Sequence, residues 1–208
     1  PYLSRENWVS IIQNGRVKVN AEPASLELIL KEHDLIVTRL GKRLEPPANR
    51  EINILYEDQR IRVFNKNAPI PVHPSGRYYK NSMTELLRGV YPGETLRPAQ
   101  RLDSATTGVL VFAKTKKVAS FLMHEFATNQ VHKEYLVIVE GLPKEKHFLI
   151  NRAIGKINGS QRGTGSKAVK PKQSVTEFHW LVSLGKRSLL KAIPHSGRTN
   201  QIRVHLAT

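Results

Sequence analysis

Asp103 has the surroundings of a reacting group. It lies in the segment 101–108 (RLDSATTG), at the start of an apolar stretch that continues to Lys114. Arg101 precedes the carboxylate by two residues, and three side-chain hydroxyls follow it within four residues. A carboxylate beside a guanidinium and hydroxyls is a candidate catalytic group. An aspartate that only caps a turn before a strand is the alternative interpretation.

Other kinds of catalytic site are not indicated by the sequence. The chain has no cysteine, which excludes a thiol nucleophile and a cysteine zinc site. The histidines and acids in the segment 124–134 come nearest to a metal cluster, but a helix followed by a strand would separate them, so we predict no metal site. The glycine-rich segment 159–167 lacks the order of a phosphate-binding loop. Glycosidases and two-metal nucleases need several carboxylates at one site, and no second acid is suitably placed.

The charge distribution indicates a polyanionic partner. The chain of 208 residues has a formal net charge of +16, and nucleic acid is the first candidate for such a protein. Residues 143–208 alone carry a net charge of +11, with Glu145 and Glu177 as their only acids. We therefore predict that this region, including Lys167, Lys170 and Lys172, follows RNA phosphates, although a solvated basic surface is the alternative. Since no uncharged apolar run reaches the roughly 18 residues of a membrane span, no membrane partner is expected.

The first 47 residues are predicted to form a small module. Pro46 and Pro47 break the chain, so we place the domain boundary within 44–51 and a larger domain at 52–208. Hydrophobic patterning within the module predicts helices over 7–13 and 26–31 and strands over 16–20 and 34–39.

The larger domain mixes strands and helices without βαβ alternation. This order favours an α+β fold with a mixed, largely antiparallel sheet. Apolar patterning predicts strands over 54–56, 60–64, 106–114 and 134–140, a hairpin of 174–184 with 188–193 through Gly185, and helices over 81–90 and 116–129. Thr199 is expected to cap a last helix, and residues 155–173 are predicted to be a mobile basic loop.

Four ordered segments resemble the RluA-type family of RNA pseudouridine synthases. They are 63–66 (VFNK) with 71–74 (PVHP), 101–114 (RLDSATTGVLVFAK), 133–135 (KEY) with Gly141, and 197–206 (GRTNQIRVHL). The similarity extends from about residue 52 to the end of the chain. Residues 15–20 and 34–36 resemble, more weakly, the alpha-L RNA-binding motif, of which the N-terminal module is an incomplete version.

The resemblance implies that a uridine in ribosomal or transfer RNA is isomerised to pseudouridine without a cofactor or metal. The base is detached, turned and rejoined through carbon, and the site needs an ionised carboxylate near the ribose. Asp103 is the implied carboxylate, and attack on the sugar and removal of a sugar proton both remain open. Arg203 would hold the carboxylate ionised, and Tyr135 would stack on the uracil and assist a proton transfer.

The same resemblance implies several RNA contacts. Arg101 would fill the gap left by the displaced base or bind a neighbouring phosphate, and the further RNA-binding candidates are Lys66, Lys133 and Arg198. Surface roles for these cations, and a non-catalytic structural role for Tyr135, are the alternatives.

Two departures from the family pattern leave a second function open. Asn67 replaces a proline, and Asn200 replaces the usual histidine of the last motif. A non-catalytic RNA-binding relative is therefore the alternative to the enzyme, and a small-molecule enzyme acting on a uracil-like compound is a third. We expect a cytoplasmic monomer, and a natural protein that continues beyond Thr208 because the family's closing segment is missing.

Overall fold

The computed structural model describes residues 4–39, 45–159 and 161–208. Its first part contains helix α1 (Arg5–Gln13) and strands β1 (Val17–Val19), β2 (Glu22–Pro23) and β3 (Ile36–Thr38). The strands form an antiparallel sheet of order β2-β1-β3. Ser4 caps the helix, because its side chain accepts a hydrogen bond from the backbone N–H of Asn7 at 3.3 Å. The predicted first helix and the two predicted strands are confirmed.

The second helix predicted in this module, over 26–31, is wrong. Residues 24–35 form turns, and the backbone N–H of Lys31 donates to Asp34 Oδ2 at 2.8 Å. The apolar side chains of this stretch are exposed, and Ile29 is 84% exposed. A short helix depends on packing of its apolar face. Among the described residues, neither of the two hydrophobic cores of the protein includes this stretch. The identity of the module as an alpha-L motif stays a prediction.

The chain is attached to the larger domain from Glu45 onward. The Glu45 carboxylate accepts the backbone N–H groups of Asn81, Lys80 and Tyr79 at 2.8–2.9 Å. These hydrogen bonds lower the pKa of Glu45. Ala48 packs against the core of the larger domain. Residues 40–44 lie outside the described residues, so the predicted domain boundary stays a prediction.

The first core of the larger domain lies on an antiparallel sheet of order β4-β5-β7-β6. Its elements are β4 (Asn53–Glu57), β5 (Ile61–Lys66), helix α2 (Met83–Val90), β6 (Arg97–Pro98), β7 (Gly108–Ala113) and helix α3 (Lys116–Ala127). Phe64 of β5 and Phe112 of β7 are fully buried, and their rings meet edge to face with centroids 5.4 Å apart. The strands and helices predicted here are confirmed.

The remaining described residues form two further sheets and a last helix. Their elements are β8 (Tyr135–Glu140), β9 (His147–Asn151), β10 (Ile154–Asn158), β11 (Gln161–Gly163), β12 (Val169–Lys172), β13 (Val175–Leu184), β14 (Arg187–Pro194) and helix α4 (Gln201–Leu206). The larger sheet is antiparallel with the order β8-β14-β13-β9. Phe178 and Leu190 form its core, against which Ile202 and Leu206 of α4 pack. The predicted hairpin through Gly185 is confirmed by the pairing of β13 with β14.

The basic segment 155–173 is not the loop that we predicted. Its strands form an antiparallel sheet of order β11-β10-β12. Gly155 permits the close pairing, because a Cβ there would lie 2.8 Å from the carbonyl oxygen of Val169. The register of β10 shifts against both neighbours, and such irregularities interrupt the alternation of apolar and polar residues. The interrupted pattern explains why the sequence did not indicate strands.

The strand pairs among the described residues are antiparallel. The α+β class with a largely antiparallel sheet is therefore confirmed. Tyr135, the first residue of β8, packs against both cores of the larger domain. None of the helices that the structure describes combines the length and the apolar character needed to cross a membrane.

Candidate active site

A buried lysine fixes the loop that carries Asp103. Lys66, the last residue of β5, has no exposed side-chain area. Its Nζ donates hydrogen bonds to the carbonyl oxygens of Asn67 (3.0 Å), Ser104 (3.1 Å) and Thr106 (2.7 Å). Two of these carbonyls follow Asp103 within three residues. Lys66 therefore ties the end of β5 to the loop before β7 and limits where the Asp103 carboxylate can lie.

This position corrects the role in RNA binding that we predicted for Lys66. A fully buried ammonium with three carbonyl partners is not available to a phosphate. Burial lowers the pKa of Lys66 to about 8, and the negative charge of Asp103 partly opposes that shift. The contacts of Lys66 are those of a residue that positions the Asp103 loop.

Backbone contacts complete the loop. The Asp103 carbonyl accepts the backbone N–H of Thr106 at 3.0 Å, and the Ser104 carbonyl accepts that of Ile70 at 3.1 Å. Gly108 begins β7 with φ of +115°, a conformation that residues with a Cβ rarely adopt. The glycine at this motif position allows the chain to pass from the loop directly into the sheet.

Arg203 on α4 contacts the Asp103 carboxylate. Its Nη2 donates to Asp103 Oδ2, which joins residues 100 positions apart. The same Nη2 donates to Asn200 Oδ1 at 2.6 Å. A guanidinium in this position makes a charge-assisted hydrogen bond that orients the carboxyl group. The Asp103 side chain remains 29% exposed, so the structure brings together an ionisable acid, its counter-charge and access from solvent.

Asn200 supports Arg203 at the start of the helix. It occupies the N-cap of α4, the position we had expected for Thr199, with φ of 59° and ψ of 21°. Asparagine adopts this left-handed conformation more readily than most residues. Its side chain makes no capping hydrogen bond and instead accepts from Arg203. The departure from the family's histidine therefore preserves a polar partner for the arginine.

A buried polar network holds α4 on the sheet, and the sequence analysis missed it. Gln201 Nε2 donates to Thr176 Oγ1 at 2.9 Å, and Thr176 Oγ1 lies 2.8 Å from His205 Nδ1. His205 Nε2 lies 3.1 Å from the carbonyl oxygen of Arg152. Because a carbonyl only accepts, Nε2 carries the proton and Nδ1 accepts from the threonine hydroxyl. Burial lowers the pKa of His205, which favours this neutral form. Gln201 and His205 belong to the motif 197–206, but no pattern in the sequence indicated that Thr176 would be their partner.

Tyr135 lies beside the acid, where the two cores meet. Burial and then the negative charge of Asp103 raise the pKa of its phenol, so the hydroxyl keeps its proton at neutral pH. Lys133, two residues earlier, is also half-buried, and burial lowers its pKa. Residues two apart in an extended chain face the same side, which places Lys133 and Tyr135 on one side of the strand.

Arg101 is exposed near the segment 71–74. Partial burial and then the positive charge of Arg101 lower the pKa of His73. The motif that carries Asp103 and the motif that carries His73 are therefore neighbours in the fold, as their common membership of one site requires.

Arg198 lines a basic cleft next to α4. The cleft has a volume of about 380 Å³ and extends from the β10–β12 sheet to Thr199. Its cationic side chains are Lys156, Arg162, Lys170, Lys172 and Arg198. Arg198 Nε donates to the carbonyl oxygen of Gln173 at 3.3 Å, which fixes the arginine at the edge of the cleft. The sheet explains why cations distant in sequence converge here.

Histidine and carboxylate side chains also converge on the outer sheet, away from the residues we had considered. The ligand atoms of His147, Glu177 and His179 lie within 4.8 Å of one another. This group lies on β9 and β13, whereas the sequence analysis had weighed only the segment 124–134 as a metal cluster.

Comparisons with known proteins agree with the site. Residues 60–208 match the family model described as RNA pseudouridylate synthase. The chain is 33% identical over 209 residues to the mitochondrial tRNA pseudouridine(32) synthase of Saccharomyces cerevisiae, covering 97% of this chain and 44% of that protein. It is 35% identical over 208 residues to pseudouridylate synthase RPUSD2 of Homo sapiens, covering 96% of this chain and 36% of that protein. The chain thus spans about half, or less, of the length of these relatives.

Solved structures show the same architecture. Human RNA pseudouridylate synthase domain containing 1 superposes with a TM-score of 0.66 and 26% identity, covering 79% of this chain and 67% of that chain. Human RNA pseudouridylate synthase domain containing 4 gives a TM-score of 0.61 and 27% identity, covering 74% and 63%. The resemblance to the RluA-type family is confirmed, and this chain belongs to the RNA pseudouridylate synthase family.

Proposed function

We propose that this chain isomerises specific uridines in structured RNA to pseudouridine, with Asp103 as the reacting carboxylate. The observation that carries the proposal is the contact of Asp103 with Arg203, which joins a sheet loop to α4 and leaves part of the carboxylate exposed. The relatives named as pseudouridine synthases support the reaction, and one named for position 32 of tRNA supports transfer RNA as a substrate class beside ribosomal RNA. The proposed chemistry uses side chains alone and requires no cofactor.

We assign each residue of the site a distinct part in this reaction. Asp103 acts on the ribose of an extruded uridine, either by attacking the sugar or by removing a sugar proton. Arg203 holds and orients the carboxylate through its hydrogen bond to Asp103 Oδ2. Tyr135 offers a ring for stacking and a protonated hydroxyl for proton transfer to the turned base.

RNA binding is assigned to cations around this site. Arg101 lies two residues before the acid, Lys133 lies two residues before Tyr135, and Arg198 belongs to the basic cleft beside α4. Extruding a base costs a few kcal/mol. Stacking on an aromatic ring contributes about 1–3 kcal/mol, and phosphate contacts supply sequence-independent affinity. The cleft and Tyr135 together therefore offset the cost of extrusion.

An Asp103→Asn variant tests the proposal. We expect it to abolish isomerisation while RNA affinity stays within a few-fold, because loss of a negative charge does not weaken phosphate binding. Pseudouridine is separated from uridine by nucleoside chromatography after digestion of RNA incubated with each protein. Glu140→Gln, which removes an exposed carboxylate paired with Arg187, is the matched control. Turnover near that of the wild type in Asp103→Asn would remove Asp103 from the catalytic role.

A non-catalytic RNA-binding relative remains the second candidate, because Asn200 departs from the family motif. The hydrogen bond from Arg203 to Asn200 favours the enzyme, since it keeps the arginine at the acid. The same chromatographic assay distinguishes the two, because binding alone leaves the uridine content unchanged. Mapping modified uridines in cellular RNA with and without the protein identifies the substrate. Cytoplasmic location and a monomeric state stay predictions.

A further inference from the structure

Glu177 on β13 is surrounded by three imidazole rings. Its Oε1 lies 2.9 Å from His147 Nε2 and 2.8 Å from His179 Nε2. Its Oε2 lies 3.4 Å from His195 Nε2. Each histidine presents its Nε2 to this carboxylate, two of them to Oε1 and His195 to Oε2.

The register of the sheet places these side chains on one face. Glu177 and His179 are two residues apart on β13 and therefore point to the same side. His147 of β9 pairs directly with His179. His195 follows the end of β14, two residues after Ile193, which pairs with Glu177. The residue between Glu177 and His179 is buried in the core, so the four polar side chains lie on the outer face.

The distances fit a tetrahedral metal ion. Zinc binds nitrogen and carboxylate oxygen at about 2.0–2.2 Å, which places neighbouring ligand atoms about 3.4 Å apart. The histidine–carboxylate distances of 2.8–3.4 Å approach this value, and the ligand atoms of His147, Glu177 and His179 lie within 4.8 Å of one another. His195 completes the set by rotation of its exposed side chain toward the other three. The rings of His147 and His179 are stacked, with centroids 4.6 Å apart. Imidazole with carboxylate suits zinc and its neighbours in the transition series, whereas magnesium prefers oxygen ligands alone.

Glu177 supplies the negative charge of this cluster. Glu177 is one of two acids in residues 143–208, where the net charge is +11, yet its ion-pair partners among the described residues are histidines. Lys191, the cross-strand neighbour of His179, directs its Nζ to Glu134 at 3.3 Å.

We propose that His147, Glu177, His179 and His195 bind one divalent transition-metal ion of the zinc class. Four protein ligands fill a tetrahedral shell, which is the pattern of a structural site rather than a catalytic one. The ion joins β9 and β13 to the segment that connects β14 with α4. Because that segment leads to Arg198 and then to Arg203, the metal stabilises the part of the chain that presents the catalytic arginine.

Metal titration of RNA-free protein tests the site. At pH 7.5 we expect calorimetry to show one zinc ion per chain with a dissociation constant in the micromolar range or lower, and a higher Tm in its presence. Cobalt(II) should give the visible absorption of a tetrahedral complex. Magnesium should produce neither effect. Absence of saturable one-to-one zinc binding would overturn the proposal.

Single histidine variants locate the binding. His179→Gln and His147→Gln should each weaken zinc binding by more than about 10-fold. The His147 side chain is 58% exposed, so we expect His147→Gln to remain folded even if His179→Gln unfolds. Circular dichroism of the metal-free variants checks that each is folded. His132→Gln is the matched control, since His132 is an exposed histidine paired with Glu134 at 3.2 Å. Zinc binding equal to that of the wild type in His147→Gln, or equal weakening in the control, would refute the assignment.

Discussion

Replacing Lys66 with methionine tests whether a buried ammonium holds the catalytic loop. Methionine keeps the apolar stem of lysine but removes Nζ and its three hydrogen bonds to carbonyl oxygens. The Ser104 carbonyl keeps a second partner, the backbone N–H of Ile70 at 3.1 Å. The carbonyls of Asn67 and Thr106 lose the hydrogen bonds that Lys66 provides.

The effect of Lys66→Met on the free energy of unfolding is the cost of leaving carbonyls unpaired minus the cost of burying the lysine ammonium. An unpaired acceptor costs about 1–3 kcal/mol when it is buried, so two such carbonyls cost about 2–6 kcal/mol. A pKa lowered to about 8 means that keeping the Lys66 ammonium buried costs about 3 kcal/mol, and methionine removes that cost. The Lys66→Met variant should therefore lose up to about 3 kcal/mol of unfolding free energy, because the two terms partly cancel.

The effect on activity is larger and more diagnostic. Two of the released carbonyls belong to the Asp103 loop, and a misplacement of about 1 Å at a reacting group costs about 100-fold in rate. We expect Lys66→Met to slow isomerisation by that order while RNA affinity stays within a few-fold. Single-turnover rates at saturating protein, filter-binding affinities and urea unfolding measure the three quantities. Lys117→Met, an exposed lysine on α3, is the control.

The opposite pattern would refute this reasoning. If Lys66 bound RNA, the methionine variant would bind RNA more weakly and its salt dependence would become shallower by about 0.7–0.9 per lost phosphate contact. Its single-turnover rate at saturation would stay normal. Normal rate with weakened affinity in Lys66→Met would therefore return the residue to the RNA interface.

The pH dependence of stability gives a second measure of Lys66. Its pKa is about 8 in the folded protein and 10.5 ordinarily, so between these values the unfolded chain binds more protons than the native one. The contribution of this group to the free energy of unfolding therefore rises with pH from about 8 to 10.5. Below about pH 8 the full cost of burying the charged ammonium remains. The stability of the wild type relative to Lys66→Met should increase from about pH 8 to 10.5 in denaturant titrations. A constant difference would contradict the lowered pKa.

Further predictions concern the other residues of the site and the basic cleft. Tyr135→Phe should bind RNA normally but turn over about 10²–10⁴-fold more slowly in single-turnover assays, and full activity would leave Tyr135 as a stacking platform. Arg203→Met should slow single-turnover isomerisation by about 100-fold while RNA affinity stays within a few-fold, because the Asp103 carboxylate loses the contact that orients it; a rate near that of the wild type would contradict the pairing. Neutralising Lys170 and Lys172 should make the dependence of RNA affinity on salt shallower by about 0.7 for each lost phosphate contact, and an unchanged slope would make the cleft a solvated surface.

Local patterns in the sequence predicted much of the fold. Alternating apolar and polar residues predicted β5 and β8, and apolar residues at helical spacing predicted α3. Each of these elements buries one face against a core, which is why its sequence carries the pattern. The helix predicted over 26–31 does not form, because its apolar residues remain exposed. Packing rather than spacing decides whether so short a helix forms. The β10–β12 sheet was missed because register shifts interrupt its alternation.

The residues around Asp103 indicated a candidate acid by themselves, whereas Arg203 and Tyr135 became candidates only through the resemblance. Asp103 and Arg203 are 100 residues apart, and no spacing rule predicts a contact over that distance. The burial of Lys66 could not be inferred either, since a lysine at the end of a strand is usually exposed. The converging histidines come from three separate segments, and strand register brings them together.

The last motif anchors its helix on the sheet and also presents the proposed partner of Asp103. Within 197–206, Arg203 points to the acid, whereas Gln201 and His205 point into the sheet and bind Thr176. Residues two apart on a helix do not share a face, so a single short helix can anchor itself on one side and present a guanidinium on the other. Any change that disturbs the buried side moves Arg203 away from Asp103. The alternation of anchoring and presenting residues means that the whole segment, rather than the arginine alone, keeps the guanidinium in contact with Asp103.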